Sequence, residues 1–161
     1  MVHKDIHIKD LSYLLVTVST TRTFENDETG KLMQSLFEAK GRKCKRSIVR
    51  DDMAEILKAF TDNFREFDVF VYSGGTGLTE YDMTANVMRK QCDREIKGFG
   101  ETFRRLSYEM SGPLTILSDA SLFIINKKLV YVVPGSPDAQ KIANDLILSI
   151  SDHAYSEMHR K

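Results

Sequence analysis

Histidine is missing from the stretch where catalysis would want it. The four histidines are His3, His7, His153 and His159, and none falls between residues 8 and 152. A serine–histidine–aspartate hydrolase, a cysteine–histidine enzyme or a histidine-ligated zinc site would have to recruit a residue from the ends. Cysteine is equally scarce: Cys44 and Cys92 stand alone, without metal or redox spacing, which fits a reducing cytoplasm. An excess of either charge is also lacking, with 23 basic side chains against 23 acidic ones. The net basic footprint of a nucleic-acid binder is therefore absent, and the basic stretch at 40–46 reads as a solvated face. No apolar run approaches the roughly 20 residues that span a bilayer, so no membrane partner is expected. Residues 1–10 mix charge with histidine where a secretion signal needs an apolar core. No repeat, low-complexity stretch or linker divides the 161 residues. One domain over 1–161 is expected, with 1–10 and 154–161 as flexible ends. Chemistry in such a chain falls to carboxylates, hydroxyls and backbone amides.

What is present is an alternation of two patterns. Residues 13–19 (YLLVTVS) are apolar and rich in β-branched side chains, the signature of a buried strand. Asn26 or Asp27 can cap a helix whose apolar positions Leu32, Met33, Leu36 and Phe37 recur at helical spacing and which Gly41 ends. A second strand is predicted over 44–49. Asp51 or Asp52 then opens a helix with Ile56, Leu57 and Phe60 inward. Residues 68–72 (DVFVY) form a third strand, followed by helices at about 84–92 and 99–108. Strands at 122–125 and 129–133 flank a tight turn at Asn126-Lys127-Lys128. A last helix is predicted over 138–153, with Ile142, Leu146 and Ile150 on one face. Alternating strands and helices imply a mostly parallel sheet covered on both faces, one strand being antiparallel because of the hairpin. Such sheets bind ligands outside the carboxyl ends of their strands. The chain after Ser19, the loop after Tyr72 and the loop after Val133 converge there.

The strongest local signal is Ser73-Gly74-Gly75-Thr76-Gly77 after the third strand. Three glycines let the backbone turn sharply and offer bare N–H groups to a phosphate. The same residues also make an ordinary tight turn, and no lysine follows as in a Walker loop. Asp82 and Thr84 precede a helix and read either as caps or, for the carboxylate, as a Mg²⁺ ligand beside phosphates. Asp51 and Asp52 face the same choice. Pro134-Gly135-Ser136-Pro137 reads as a helix start capped by Ser136, a geometry that also binds anions. Glu101 and Arg104 read by default as a surface pair.

Taken in order and spacing, SGGTGLTEYDMT, GFGETFRRLS and VPGSPDA resemble the MoaB/MogA family of molybdenum cofactor biosynthesis proteins, as does STTRTFENDETG after the first strand. The likeness runs from about residue 13 to 150. It implies a Rossmann-like α/β fold, a three-layer αβα sandwich with one antiparallel strand. It implies adenylylation of molybdopterin by Mg-ATP with release of pyrophosphate. Asp82 and Asp51 would then be the catalytic carboxylates and the Mg²⁺ ligands. Gly74, Gly75, Thr76 and Gly77 would cradle phosphates, and Ser73, Thr84, Gly135, Ser136, Ser19 and Glu101 would contact substrate. The family forms trimers or hexamers, so a homo-oligomer is implied. The chain departs from its relatives at Ser118-Asp119-Ala120, where Ser-Arg-Ala is common, and so loses a basic contact. A phosphate monoester is already an anionic nucleophile, which suits a site without histidine. A non-catalytic molybdopterin- or nucleotide-binding module of the same pathway is the competing reading.

Overall fold

The computed structural model describes residues 10–161; the expected flexible start lies almost wholly outside them. Six strands form one sheet in the order β2-β1-β3-β6-β5-β4. They are β1 (Ser12–Val18), β2 (Lys43–Val49), β3 (Val69–Ser73), β4 (Arg94–Glu95), β5 (Ser121–Ile125) and β6 (Lys128–Val133). The helices are α1 (Glu28–Ala39), α2 (Met53–Asn63), α3 (Thr84–Gln91), α4 (Lys97–Ser111) and α5 (Pro137–His159), with a 3-10 segment at Gly112–Leu117.

The central strands read as unbroken apolar runs because both of their faces are covered. In parallel register Tyr13 lies beside Val69 and Val69 beside Leu129. Side chains alternate with a period of two, so Tyr13, Leu15, Val69, Val71, Leu129 and Tyr131 face one way. There they meet Met33 and Phe37 of α1, Phe99 and Phe103 of α4, and Ile142 and Ile147 of α5. Leu14, Val16, Phe70, Tyr72, Val130 and Val132 face the other way, against Ile56 and Phe60 of α2 and Val87 and Met88 of α3. The three expected layers are thus built from the two parities of the same strands.

Four details differ from the reading of the sequence. The two-residue β4 was not predicted, being too short to carry a periodic signal, and β5, antiparallel to both β4 and β6, is the one antiparallel strand expected. The hairpin turn is only Asn126 and Lys127, both at positive φ (47° and 61°). That is the twist a two-residue β-hairpin favours, and it leaves Lys128 in the strand. Leu57, Leu146 and Ile150 are half-buried, while Ala59, Ala143 and Ile147 take the inner places. The predicted free end at 154–161 is corrected: α5 continues to His159, with Tyr155 buried and its hydroxyl donating to Asp68 (3.2 Å).

Candidate functional site

β1, β3 and β6 end side by side, and the glycine loop leaves β3 between its neighbours. The Gly74 N–H donates to the Val133 carbonyl (3.0 Å), continuing the β3–β6 ladder. A Cβ on Gly74 would sit 2.6 Å from the Val18 carbonyl oxygen, and one on Gly75 would collide with the Thr84 hydroxyl. Gly74 and Gly75 both have positive φ (103° and 66°). Glycine is required here by conformation and by close approach together.

Thr84, the first residue of α3, fixes how the loop faces. Its hydroxyl donates to the Gly74 carbonyl (3.0 Å) and its N–H to the Gly75 carbonyl (3.2 Å). In a planar trans peptide the C=O of one residue and the N–H of the next point in opposite directions. Drawing the carbonyls of Gly74 and Gly75 onto α3 therefore turns the N–H groups of Gly75 and Thr76 outward. Neither donates to an acceptor among the described residues. The Thr76 side chain closes the far side, its hydroxyl 3.1 Å from that of Ser118 and its carbonyl accepting from the Asp119 amide (3.0 Å).

Two carboxylates flank this cradle. Asp52 takes the capping position of α2, accepting from the Glu55 amide, which leaves Asp51 to turn elsewhere. Asp51 Oδ2 accepts from the Thr20 amide (3.1 Å) and hydroxyl (2.9 Å). Its Oδ1 lies 3.5 Å from where a Gly75 Cβ would be. Asp82 Oδ2 accepts from the Thr79 hydroxyl (2.7 Å) and amide (3.0 Å) and lies 2.8 Å from the Cβ position of Gly77. The Thr79 hydroxyl, helped by the amides of Thr79 and Gly77, holds the Asp82 carboxyl below its ordinary 3.8. Neither Asp82 nor Thr84 caps α3.

The expected contact residues divide into those at the mouth and those beneath it. Thr84 is fully buried, and the buried Ser73 hydroxyl is given to Gln140 (3.4 Å), whose amide holds the Pro134 carbonyl (2.8 Å). Both shape the loop from below. Ser19 accepts from the amides of Thr21 and Arg22 and forms the turn that presents Thr20. Ser136 caps α5 by accepting from the Ala139 amide and keeps its own hydroxyl proton. Gly77 is exposed and meets Asp82 instead of presenting a bare amide.

Glu101 lines a neighbouring hollow of about 230 Å³ with Arg89, Lys97, Arg104 and Asp119. Arg104 donates to the Ala120 carbonyl (3.4 Å), and the predicted Glu101–Arg104 pair does not form among the described residues. Arg89 stands 3.0 Å from Glu95 and 3.6 Å from Asp119. The corner where Asp119 replaces an expected cation thus has Arg89 beside it. The roles of Thr20, Thr79, Ser118 and Arg89 were not foreseen. Thr20 and Ser118 are hydroxyls whose partners lie on other turns, Thr79 bonds Asp82 within its own turn, and Arg89 reads on its helix as a surface cation. Among the described residues no three of His, Cys, Asp or Glu gather into a metal cluster. His159 stacks on Tyr155 (4.1 Å), and Tyr155 bonds Asp68 at the opposite, entering end of β3.

Comparison with known proteins places these features in a wider set. Residues 14–153 match the family described as a probable molybdopterin binding domain. The molybdenum cofactor biosynthesis protein B of Bacillus cereus is 38% identical, over 99% of this chain and 97% of that protein. A solved structure of a molybdenum cofactor biosynthesis protein B superposes with a TM-score of 0.89 at 38% identity, covering 95% of this chain and 98% of that one. The tungsten cofactor synthesizing protein MoaB from Pyrococcus furiosus superposes with a TM-score of 0.85 at 31% identity, covering 94% and 99%.

Proposed function

The chain belongs to the molybdopterin-binding family of molybdenum cofactor biosynthesis proteins, and from that premise we propose that it transfers the adenylyl group of Mg-ATP to molybdopterin. A phosphate oxygen of molybdopterin forms a bond to the α-phosphorus of ATP, the bond from that phosphorus to the β-phosphate bridge breaks, and pyrophosphate leaves. The observation that carries this reading is the locking of the Gly74 and Gly75 carbonyls onto Thr84, which leaves the N–H groups of Gly75 and Thr76 turned away from α3 and unused.

The amides of Gly75 and Thr76 would hold a non-bridging phosphate oxygen, an arrangement worth most where charge builds up in the transition state. Asp51 lies beside Gly75 and Asp82 beside Gly77, and one or two carboxylates with substrate phosphates are the usual protein share of a Mg²⁺ site. Mg²⁺, when bound, would neutralise the triphosphate and the departing pyrophosphate. Thr20 and Thr79 hold the two carboxylates still. Asp82 is ionised at neutral pH, as any aspartate of ordinary pKa is, and the Thr79 bonds favour that form further. No side chain has to remove a proton, because the attacking phosphate is already anionic. Ser136 and the hollow containing Glu101 would receive the remainder of the substrate. We assign the reaction to the cytoplasm and the working form to a homo-oligomer.

Pyrophosphate release from Mg-ATP, measured with and without molybdopterin, tests the reading. Release should depend on molybdopterin and should fall at least about a hundredfold in Asp51→Asn and in Asp82→Asn, with unchanged circular dichroism. Unaltered turnover in both variants would remove the carboxylates from the mechanism. A second reading, a module that binds nucleotide and pterin without reaction, draws on the bonds that tie Asp82 to Thr79. It requires ATP to bind with no pyrophosphate released.

A further inference from the structure

An adenine ring needs a flat apolar surface within reach of the phosphates it carries, and few rings near the cradle have a free face. Phe24, on the turn after β1, is exposed, but the Arg46 guanidinium already lies over it at 4.1 Å. Tyr81 is different. It is 63% exposed, and among the described residues no ring or cation lies against it. Leu78, three residues earlier in the same segment, is 75% exposed. Two large apolar side chains left in water at one turn are a cost that a binding partner can relieve.

Their position ties them to the cradle. The Asp82 amide donates to the Thr79 carbonyl (3.1 Å) and the Tyr81 amide to the Thr79 hydroxyl (3.3 Å), closing a turn over residues 79–82. The Asp82 carboxylate reaches back to Gly77. Tyr81 is its direct neighbour, with Cα atoms about 3.8 Å apart. A tyrosine here stands one residue from a carboxylate at the phosphate loop and carries few degrees of rotational freedom to lose on stacking.

We infer that Tyr81, supported by Leu78, is the stacking platform for the purine of the bound nucleotide. This rests on the proposed ATP site and adds to it the group that distinguishes a nucleotide from a bare polyphosphate. Aromatic stacking tolerates any flat base, so Tyr81→Phe should keep the affinity and Tyr81→Ala should lose it.

Isothermal titration calorimetry with Mg-ATP and with Mg-tripolyphosphate separates the outcomes. Tyr81→Ala should weaken Mg-ATP about tenfold and leave Mg-tripolyphosphate unchanged, while Tyr81→Phe should bind both as the unaltered protein does. Equal ATP affinity in Tyr81→Ala, or an equal loss for both ligands, would overturn the inference and leave the ATP site standing. So would a sedimentation shift in Tyr81→Ala with ATP binding intact, which would assign the ring to a subunit contact. If the unaltered protein binds neither ligand, the ATP site itself fails and the platform with it.

Discussion

Asp51 and Asp52 are neighbours with opposite uses: one caps a helix, the other turns to the glycine loop. From sequence both suited the cap, since either carboxylate can reach a first-turn amide. The choice depends on Thr20, which comes from another strand's end and takes Asp51 by two bonds. Asp82 offers a sharper test. Its folded pKa is depressed below 3.8, first by the Thr79 hydroxyl and then by the Thr79 and Gly77 amides. A depressed carboxylate contributes stability that is complete above its unfolded pKa and is lost as pH falls through the folded one. The Asp82 contribution should therefore be constant from neutral pH to about 4 and fade only in stronger acid. Thr79→Val should move the Asp82 titration upward, read as the carboxyl carbon shift by NMR. A titration unmoved in that variant would show that the hydroxyl does not hold the carboxylate. Ser73 and Thr84 carry the opposite lesson: their residue types suit ligand contact, yet burial spends their hydroxyls on Gln140 and the Gly74 carbonyl.

Among elements, the strands with apolar runs were legible to within a residue, whereas α4 runs two residues earlier and three later than its pattern implied. β1, β3 and β6 are runs of apolar and β-branched side chains, β2 reads from its position before Asp51 more than from its composition, and the longer helices repeat apolar positions at helical spacing. β4 and the 3-10 segment were not legible, because two residues have no period and Gly112–Leu117 exposes much of its apolar content. The end of α5 was misread because its last turns are polar, while their anchors lie far away in the chain. Tyr155 bonds the buried Asp68, whose carboxylate also receives the Ser12 amide (3.0 Å). Arg42 grips Asp152 with two nitrogens, at 3.0 and 2.9 Å. Removal of residues 154–161 would be silent if this were free chain. Tyr155→Ala is instead expected to cost on the order of 3 kcal/mol in urea unfolding, as truncating a buried aromatic does. A cost near zero would contradict the packing of α5.

At the scale of the whole molecule, the layered fold followed from the sequence pattern and the ordered motifs. The cradle itself was legible as glycines, but which amides stay free was not, since that depends on where Thr84 pulls the carbonyls. The surface bears on assembly. Tyr108, Met110, Leu114, Ile116 and Leu117 lie on consecutive segments and are all at least half exposed. This apolar stretch is suited to a subunit contact. Sedimentation should show a trimer or hexamer that Leu114→Glu with Ile116→Glu reduces to smaller species. A monomer for the unaltered chain would contradict that assignment. The central claim is that two outward amides and two carboxylates form one phosphate and metal site. Crystals soaked with Mn²⁺ and ATP test it most directly, because manganese can be located by its anomalous signal. The account predicts a phosphate oxygen on the amides of Gly75 and Thr76, with manganese held between that phosphate and Asp51 or Asp82. Phosphates lodged elsewhere, with manganese out of reach of both carboxylates, would contradict it.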